Sequence, residues 1–185
     1  MNLFPMMVDL TGKNVLILGT GEEAEDKARR MAPFGCVLDC RRTEEFGDLP
    51  HPLPALVILA DRFHPKNAAI AAQCRSLGIP VNAVDDPSLC DFIFPSLITR
   101  GCLTVALSTG GAAPAAGKLL RQRIEQALPE DTEGLMDWAG ALTARLRASI
   151  PDMALRGRIL RFALDRAFTL GRPLTEDELS VELQK

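Results

Sequence analysis

The sequence predicts an α/β fold, in which a parallel sheet built from the first half of the chain is followed by a largely helical remainder. Short continuous apolar runs alternate with stretches of helical spacing up to residue 84, which is typical of a parallel sheet. From Pro114 onward the pattern is almost wholly helical. We expect the boundaries between these regions near residues 108 and 150.

Four apolar runs are predicted as the strands of the sheet. The first, residues 14–18, ends in Gly-Thr-Gly and is followed by alanines and a methionine at helical spacing, which indicates a strand, a tight turn and a helix. The second and third runs cover residues 36–40 and 56–60. A predicted helix over residues 65–77 separates the third run from the fourth, residues 80–84.

A different pattern follows the predicted sheet. Residues 93–98 and 103–108 are two β-rich runs around a turn at Arg100-Gly101, which predicts a hairpin. Thr175 and Glu178 have the spacing of a capping box at the start of a last helix. The helices predicted before it cover residues 115–128, 134–148 and 153–169.

Composition and charge exclude several classes of protein. The 185 residues are 47% hydrophobic, enough for a buried core, and the net charge of −3 gives no electrostatic footprint for nucleic acid or an anionic membrane. No apolar run approaches the ~18 residues of a membrane span, and the amino terminus lacks the pattern of an export signal. The five cysteines are an odd number without a C-x-x-C pair, which indicates a reducing, cytoplasmic environment.

The first candidate site is the glycine turn after the first strand. Gly19-Thr20-Gly21-Glu22-Glu23-Ala24 matches G-x-G-x-x-A, where small residues admit a pyrophosphate and the helix N-terminus favours its charge. We expect dinucleotide binding here, with a merely tight turn as the alternative. Asp39 lies where a ribose-binding carboxylate is expected. Arg41 and Arg42 follow it and suit a 2′-phosphate, so the residues alone leave NAD and NADP open.

The second candidate is the polar segment after the fourth predicted strand. Asp85 follows that strand directly, and a carboxylate at the carboxyl end of a parallel strand points into the crevice where such sheets bind ligands. This placement suits a group that transfers a proton. The alternative is that Asp85 and Asp86 only begin a turn before Pro87.

The third candidate is the segment Ser108-Thr109-Gly110-Gly111, which precedes a helix that begins near Pro114. Its small residues suit a backbone nest for a carboxylate or phosphate, and a plain strand-to-helix turn is the alternative. The helix brings the cations Lys118 and Arg121, which are also typical of a solvated face. No cluster of His, Cys and carboxylate residues has the spacing of a permanent metal site.

Together, these segments resemble the precorrin-2 dehydrogenase/sirohydrochlorin ferrochelatase family, which includes the corresponding module of siroheme synthase. The resemblance covers roughly residues 1–130. It rests on the leader LFPMMVDLTGKNVLILGTGEEAEDKARR, the segment GIPVNAVDDPSLCDFIFPS and the segment LTVALSTGGAAPAAGKLLRQRIE. The second segment is the most specific of the three.

The resemblance implies a domain organisation. A Rossmann-like dinucleotide-binding domain is expected over residues 1–108, a dimerisation region over residues 109–150 and a small helical domain over residues 151–185. It also implies NAD as the cofactor and a homodimer with a tetrapyrrole cleft between domains. We expect the contacts between the two chains mainly through residues 93–128, which are rich in apolar side chains.

The resemblance also implies a reaction, in which a hydride passes from precorrin-2 to NAD+ to give sirohydrochlorin. In bifunctional members the same cleft then accepts Fe2+ as a substrate. Asp85, by its place in the N-x-V-D string, is the implied catalytic residue, because a carboxylate can accept the protons that both steps release. Cationic side chains suit the carboxylates of the tetrapyrrole. The implied substrate-binding residues are Asn82, Arg100, Ser108, Thr109, Gly110, Gly111, Lys118 and Arg121.

Two segments depart from the family pattern. Only residues 41–55 separate the second apolar run from the third, so an element of the sheet is expected to be missing. Ala60 and Asp61 stand where the family has Ala-Thr near the nicotinamide, and they are the expected cofactor contacts here. These departures favour the alternative hypothesis, a non-catalytic member that binds a tetrapyrrole or nucleotide as a carrier, sensor or partner subunit.

Overall fold

The structure, a computed structural model, describes residues 3–183 and divides into two compact units. The amino-terminal unit spans Phe4–Phe94. The carboxy-terminal unit takes in Leu3 and runs from Pro95 onward.

A four-stranded parallel sheet forms the centre of the amino-terminal unit. The predicted strands and their parallel pairing are confirmed, and each strand end lies within one residue of its expected position. The spatial order is β2-β1-β3-β4, so the order of the strands reverses between β1 and β3. Parallel sheets bind ligands beyond the carboxyl ends of their strands at such a reversal. The strands are β1 (Asn14–Leu18), β2 (Val37–Arg41), β3 (Leu56–Leu59) and β4 (Val81–Ala83).

Side chains of the two central strands alternate between two apolar cores, one on each face of the sheet. Helix α1 (Gly21–Met31) covers one face and helix α2 (Asn67–Ser76) covers the other. Because both faces are covered, each central strand is continuously apolar. The core beneath α1 takes from β1 and β3 the side chains of Val15, Ile17, Leu56 and Ile58. The core beneath α2 takes those of Leu16, Leu18, Val57 and Leu59.

The connection from β2 to β3 crosses the sheet as an irregular loop, and residues 42–55 contain neither helix nor strand. Phe46 and Leu49 of this loop are buried in the core beneath α2. Two apolar side chains therefore cover a part of the sheet that the short connection leaves without a regular element.

The carboxy-terminal unit begins with an antiparallel pair, β5 (Ser96–Arg100) and β6 (Leu103–Leu107). The predicted hairpin is confirmed, but the prediction of strand over residues 93–95 was wrong. Phe92 and Phe94 pack instead against the core beneath α1, which keeps this stretch with the amino-terminal unit. The expected domain limits at residues 108 and 150 stay predictions.

Helices make up the rest of the described carboxy-terminal unit. Three of them, α4, α5 and α6, share an apolar core that includes Leu135, Ala163 and Leu179. The predicted capping box is confirmed, since the Thr175 N–H donates to Glu178 Oε2 at 2.8 Å and the Glu178 N–H donates to Thr175 Oγ1 at 3.3 Å. Among the described helices, none has the length and apolar character needed to cross a membrane. They are α3 (Pro114–Ala127), α4 (Thr132–Ser149), α5 (Met153–Leu170) and α6 (Glu176–Leu183).

Candidate functional site

The glycine turn lies at the point where the strand order reverses, between the carboxyl ends of β1 and β3. Gly19 has a φ of +144°, and a Cβ on it would lie 2.9 Å from the Ala60 Cβ and 2.9 Å from the Asp61 nitrogen. Gly21, the first residue of α1, has a φ of +74°. Only glycine fits the first position, because the backbone of the turn touches the end of β3 there. The structure therefore brings Gly19 to Ala24 together with Ala60 and Asp61.

Asp61 uses its carboxylate to fix this turn. Its Oδ1 accepts the Thr20 N–H at 3.1 Å, and its Oδ2 accepts the Thr43 hydroxyl at 2.6 Å. The Asp61 carbonyl oxygen accepts the Asn67 side-chain amide at 2.8 Å. Thr43 and Asn67 are buried, and no sequence motif predicts either of them. A direct contact between Asp61 and a cofactor stays a prediction.

The end of β2 carries the residues expected near the ribose. Asp39 and Arg41 form a two-pronged ion pair, in which the Arg41 Nε and Nη2 lie 2.9 Å and 2.6 Å from the two carboxylate oxygens. Hydrogen bonding to Asp39 raises the pKa of the Arg41 guanidinium. Arg42 lies 3.9 Å from Glu44 and 3.7 Å from Glu45. Both arginines therefore already face carboxylates of this chain, which reduces their availability to a 2′-phosphate.

Asp85 lies just beyond the carboxyl end of β4, where the sequence placed it. Its φ is +58°, a left-handed conformation that aspartate tolerates better than most residues. Its Oδ2 lies 3.0 Å from the Arg62 Nη1, and the Arg62 Nη2 donates to the Glu23 Oε1 at 2.6 Å. The contact with Arg62 is an ion pair, and among the described residues no hydrogen bond is donated to either oxygen of the Asp85 carboxylate. The structure thus connects the candidate catalytic carboxylate to the first turn of α1.

The segment after Asp85 is held by internal hydrogen bonds. Asp86 caps the following turn, accepting the Ser88 N–H at 3.1 Å and its hydroxyl at 2.6 Å, as the turn interpretation predicted for that residue. The Cys90 thiol lies 3.3 Å from the Ala83 nitrogen and 3.2 Å from the Ala83 carbonyl oxygen. Asn82 is buried and donates to the Phe92 carbonyl oxygen at 3.0 Å, so its expected contact with substrate stays a prediction.

A lysine on α1 adds a positive charge to this part of the unit. Lys27 lies over the ring of Phe94, with its Nζ 4.7 Å from the ring centroid. Burial lowers the pKa of Lys27, and the neighbouring positive charge of Arg30 lowers it further. The negative charges of Glu23 and Asp85 partly oppose this shift in pKa.

The expected substrate-binding residues of the carboxy-terminal unit fall into two groups. Two of the cations are paired with one carboxylate: Arg100 lies 2.9 Å and Arg121 lies 3.2 Å from Glu125. Lys118 is exposed on α3. The other group, Ser108 to Gly111, forms a turn in which the Ser108 Oγ accepts the Gly110 N–H at 3.1 Å. All of these residues lie within the carboxy-terminal unit, and their binding of substrate stays a prediction.

Arg62, Thr43 and Asn67 are the residues that sequence reasoning missed. Arg62 follows the buried strand β3, so the rule that identified Asp85 after β4 would also have identified Arg62. Thr43 lies in an irregular loop and carries no sequence signal. Within the described residues, no group of three His, Cys, Asp or Glu side chains is placed to hold a metal ion.

Two family models match adjoining parts of the chain. One, described as "Putative NAD(P)-binding", matches residues 41–96, and the other, described as "Sirohaem biosynthesis protein central", matches residues 100–127. The first match begins after the glycine turn, so the geometry of the turn is a separate observation that agrees with it. The amino-terminal unit is therefore a Rossmann-like NAD(P)-binding domain, joined to a segment found in sirohaem-biosynthesis proteins.

Similar proteins identify the family to which the chain belongs within this class. The siroheme synthase of Pseudomonas paraeruginosa (strain DSM 24068 / PA7) is 34% identical over 175 residues, which are 84% of this chain and 38% of that protein. The siroheme synthase of Gluconacetobacter diazotrophicus is 34% identical over 185 residues, 88% of this chain and 39% of that protein. The chain belongs to the family of the siroheme synthase amino-terminal module, which confirms the resemblance. It spans about two fifths of the length of these relatives.

A solved structure shares the fold. The protein titled "SirC, precorrin-2 dehydrogenase" matches with a TM-score of 0.68 over 98% of both chains, at 17% sequence identity. At that identity the match shows a common fold.

Proposed function

We propose that the chain is an NAD+-dependent precorrin-2 dehydrogenase that forms sirohydrochlorin in siroheme biosynthesis. One observation carries the proposal: the Asp85 carboxylate lies at the same edge of the sheet as the glycine turn and is joined to its helix through Arg62 and Glu23. A dehydrogenase needs a group that accepts a proton beside the place where its dinucleotide binds, and this edge offers both. The names of the relatives supply the substrate class.

The residues of the turn fit a dinucleotide. Gly19 leaves no room for a side chain, which lets a pyrophosphate approach the backbone, and the N-terminus of α1 supplies unpaired N–H groups. NAD+ supplies the chemistry of a hydride acceptor when it is bound. We assign NAD+ rather than NADP+ because Asp39 stands where a ribose-binding carboxylate is expected, and its ion pair with Arg41 occupies the guanidinium that would otherwise meet a 2′-phosphate.

In this mechanism Asp85 is the general base. Oxidation of precorrin-2 by two electrons removes a hydride and a proton; bound NAD+ would supply the hydride acceptor, and the carboxylate of Asp85 takes the proton. Arg62 forms an ion pair with Oδ2, and we assign Oδ1 as the oxygen that receives the proton. A general base in this role contributes about 10²–10⁴-fold to the rate.

We also assign a homodimer with contacts mainly through residues 93–128. Leu119 and Leu120 support this assignment, because they are 48% and 45% exposed on α3 within that region. Two large apolar side chains left this exposed on one helix favour a surface that a partner covers. A monomeric mass in light scattering at micromolar concentration would contradict the assignment.

An anaerobic assay tests the reaction. The protein is incubated with precorrin-2 and NAD+, and the formation of NADH and sirohydrochlorin is followed by absorbance. Stoichiometric appearance of both supports the proposal. Binding of precorrin-2 and NAD+ without turnover would contradict it and support the carrier, sensor or partner-subunit hypothesis. Addition of Fe2+ to the product in the same cuvette determines whether the chain also inserts iron, because siroheme and sirohydrochlorin differ in absorbance.

A further inference from the structure

Arg62 joins carboxylates from two separate elements of the amino-terminal unit. Glu23 belongs to the first turn of α1 and Asp85 follows β4, while Arg62 itself follows β3. The distances are 2.6 Å to Glu23 and 3.0 Å to Asp85. One guanidinium therefore spans from the helix that begins at the glycine turn to the carboxylate assigned as the base.

The bridge that Arg62 forms between Glu23 and Asp85 contributes little to the stability of the fold. The side chains of Arg62, Glu23 and Asp85 are 52%, 39% and 51% exposed, and ion pairs this open to solvent contribute little to folding because water screens them. The apolar cores on the two faces of the sheet do not include any of the three residues. Removal of the bridge should thus leave the unit folded, so an effect on function can be read separately.

The charges near Asp85 indicate a functional role for the ion pairs of Arg62. Glu23 places a negative charge in the first turn of α1, close to the expected pyrophosphate, and Arg62 lies directly against it. The Asp85 side chain is 51% exposed, and its ion pair with Arg62 is the contact that can fix the direction of its carboxylate. Lys27 on α1 also interacts electrostatically with both carboxylates.

We propose that Arg62 is a positioning residue with two tasks: it orients the Asp85 carboxylate for proton transfer, and it offsets the charge of Glu23 beside the dinucleotide. This inference rests on the proposed function. Its two tasks predict two effects that can be separated, because one partner of Arg62 is the assigned base and the other lies at the dinucleotide turn.

The test uses Arg62→Gln in the full chain. Turnover (kcat) of precorrin-2 should fall about 10- to 100-fold, as expected for a displaced reacting group, with little change in the KM for precorrin-2. The Kd for NAD+ in calorimetry should rise about two- to fivefold, the effect of one unbalanced charge at a helix N-terminus. Arg62→Lys keeps the charge and should recover most of both losses.

Glu23→Gln separates the two tasks. Combined with Arg62→Gln, it should restore the Kd for NAD+ to the wild-type value, since no unbalanced charge remains, while the loss of kcat should persist. Wild-type kcat in Arg62→Gln would overturn the first task. A double variant that still binds NAD+ weakly would overturn the second.

Arg75→Gln is the matched control. Arg75 forms a similarly exposed ion pair with Asp91 at 2.9 Å, but that pair lies at the amino end of β4, where Asp91 accepts the Val81 N–H. Arg75→Gln should leave kcat and the Kd for NAD+ unchanged. Losses in Arg75→Gln equal to those in Arg62→Gln would contradict a specific role for Arg62.

Two readouts keep this inference distinct from the proposed function. If the wild-type chain lacks turnover, the proposed function fails, and calorimetry of NAD+ still tests the balance between Arg62 and Glu23. If Arg62→Gln loses its circular dichroism spectrum, the bridge is structural and the positioning role is overturned.

Discussion

Thr43 donates its hydroxyl hydrogen to the Asp61 carboxylate over 2.6 Å, across 18 residues of sequence. Thr43 is fully buried, and the other oxygen of the same carboxylate accepts the Thr20 N–H. The loop between β2 and β3 is therefore tied through one carboxylate to the glycine turn.

Thr43→Val should weaken both the fold and the turn. It leaves a partly buried carboxylate oxygen without its donor, which costs about 1–3 kcal/mol of the free energy of unfolding. Affinity for NAD+ should fall as well, because the carboxylate that orients Thr20 loses its support. Urea denaturation and calorimetry measure the two effects. Thr43→Ser keeps the hydroxyl and should retain NAD+ affinity; a loss in Thr43→Ser with wild-type affinity in Thr43→Val, which keeps the methyl group, would mean that the methyl group and not the hydrogen bond is important.

Gly19→Ala should weaken dinucleotide binding. The added Cβ would lie 2.9 Å from the Ala60 Cβ and from the Asp61 nitrogen, and the φ of +144° is unfavourable for alanine. The turn must move away from the end of β3, so we expect at least a ~10-fold rise in the Kd for NAD+.

Gly47→Ala is the control for this change, because nothing lies within 4 Å of an added Cβ and the residue is exposed. It should bind NAD+ as the wild type does. Tight binding of NAD+ by Gly19→Ala would show that the dinucleotide does not approach this turn.

The fold was largely predictable because its signals are local. A continuous apolar run such as residues 14–18 marks a strand buried on both faces, and a glycine turn after it marks the entry to a helix. The stretch before β5 was misassigned because Phe92 and Phe94 are equally suited to a strand and to a covered loop. Their contacts with the core beneath α1 favour the covered loop over the strand.

The candidate site was only partly predictable because its contacts are not local. Arg62 meets Glu23 across 39 residues, and periodicity contains no information about such a pairing. The carboxylate of Asp61 accepts hydrogen bonds from Thr20 and Thr43, a role in the turn that the sequence did not predict. A motif identifies the residues of a turn, and only the structure identifies what holds the turn in place.

Asp39→Ala should shift the preference between cofactors. The wild-type chain should bind NAD+ more tightly than NADP+, because Asp39 engages Arg41. Removing the carboxylate frees the guanidinium for a 2′-phosphate, so the ratio of the two Kd values in calorimetry should move toward NADP+. Arg42→Ala should change the ratio little, because Arg42 faces Glu44 and Glu45. Tighter binding of NADP+ by the wild-type chain would contradict the assignment.

The carboxy-terminal helices should lose stability in acid through Glu178. Hydrogen bonds from Arg172 and from the Thr175 N–H lower the pKa of Glu178 from 4.5 to about 2. Because the pKa is lower in the folded state, the ionised carboxylate stabilises the fold above pH 4.5, and this contribution is lost as pH falls toward about 2.

Thermal unfolding followed by circular dichroism across this pH range measures the effect. Glu178→Gln should flatten the dependence of Tm on pH, and Arg172→Gln should do the same in part, because it removes both hydrogen bonds from Arg172 to Glu178 and keeps the one from the Thr175 N–H. An unchanged slope in Glu178→Gln would show that other carboxylates control the acid response.

The most direct test of Asp85 as the general base compares Asp85→Asn with Asp86→Asn in the anaerobic assay with precorrin-2 and NAD+. Asp85→Asn keeps the size of the side chain and removes the base, so turnover should fall about 10²–10⁴-fold while the Kd for NAD+ stays near the wild-type value. Asp86 only caps the turn at Ser88, a role that asparagine can also fill, so Asp86→Asn should retain turnover. Wild-type turnover in Asp85→Asn, or a loss confined to Asp86→Asn, would contradict the assignment of Asp85 as the base.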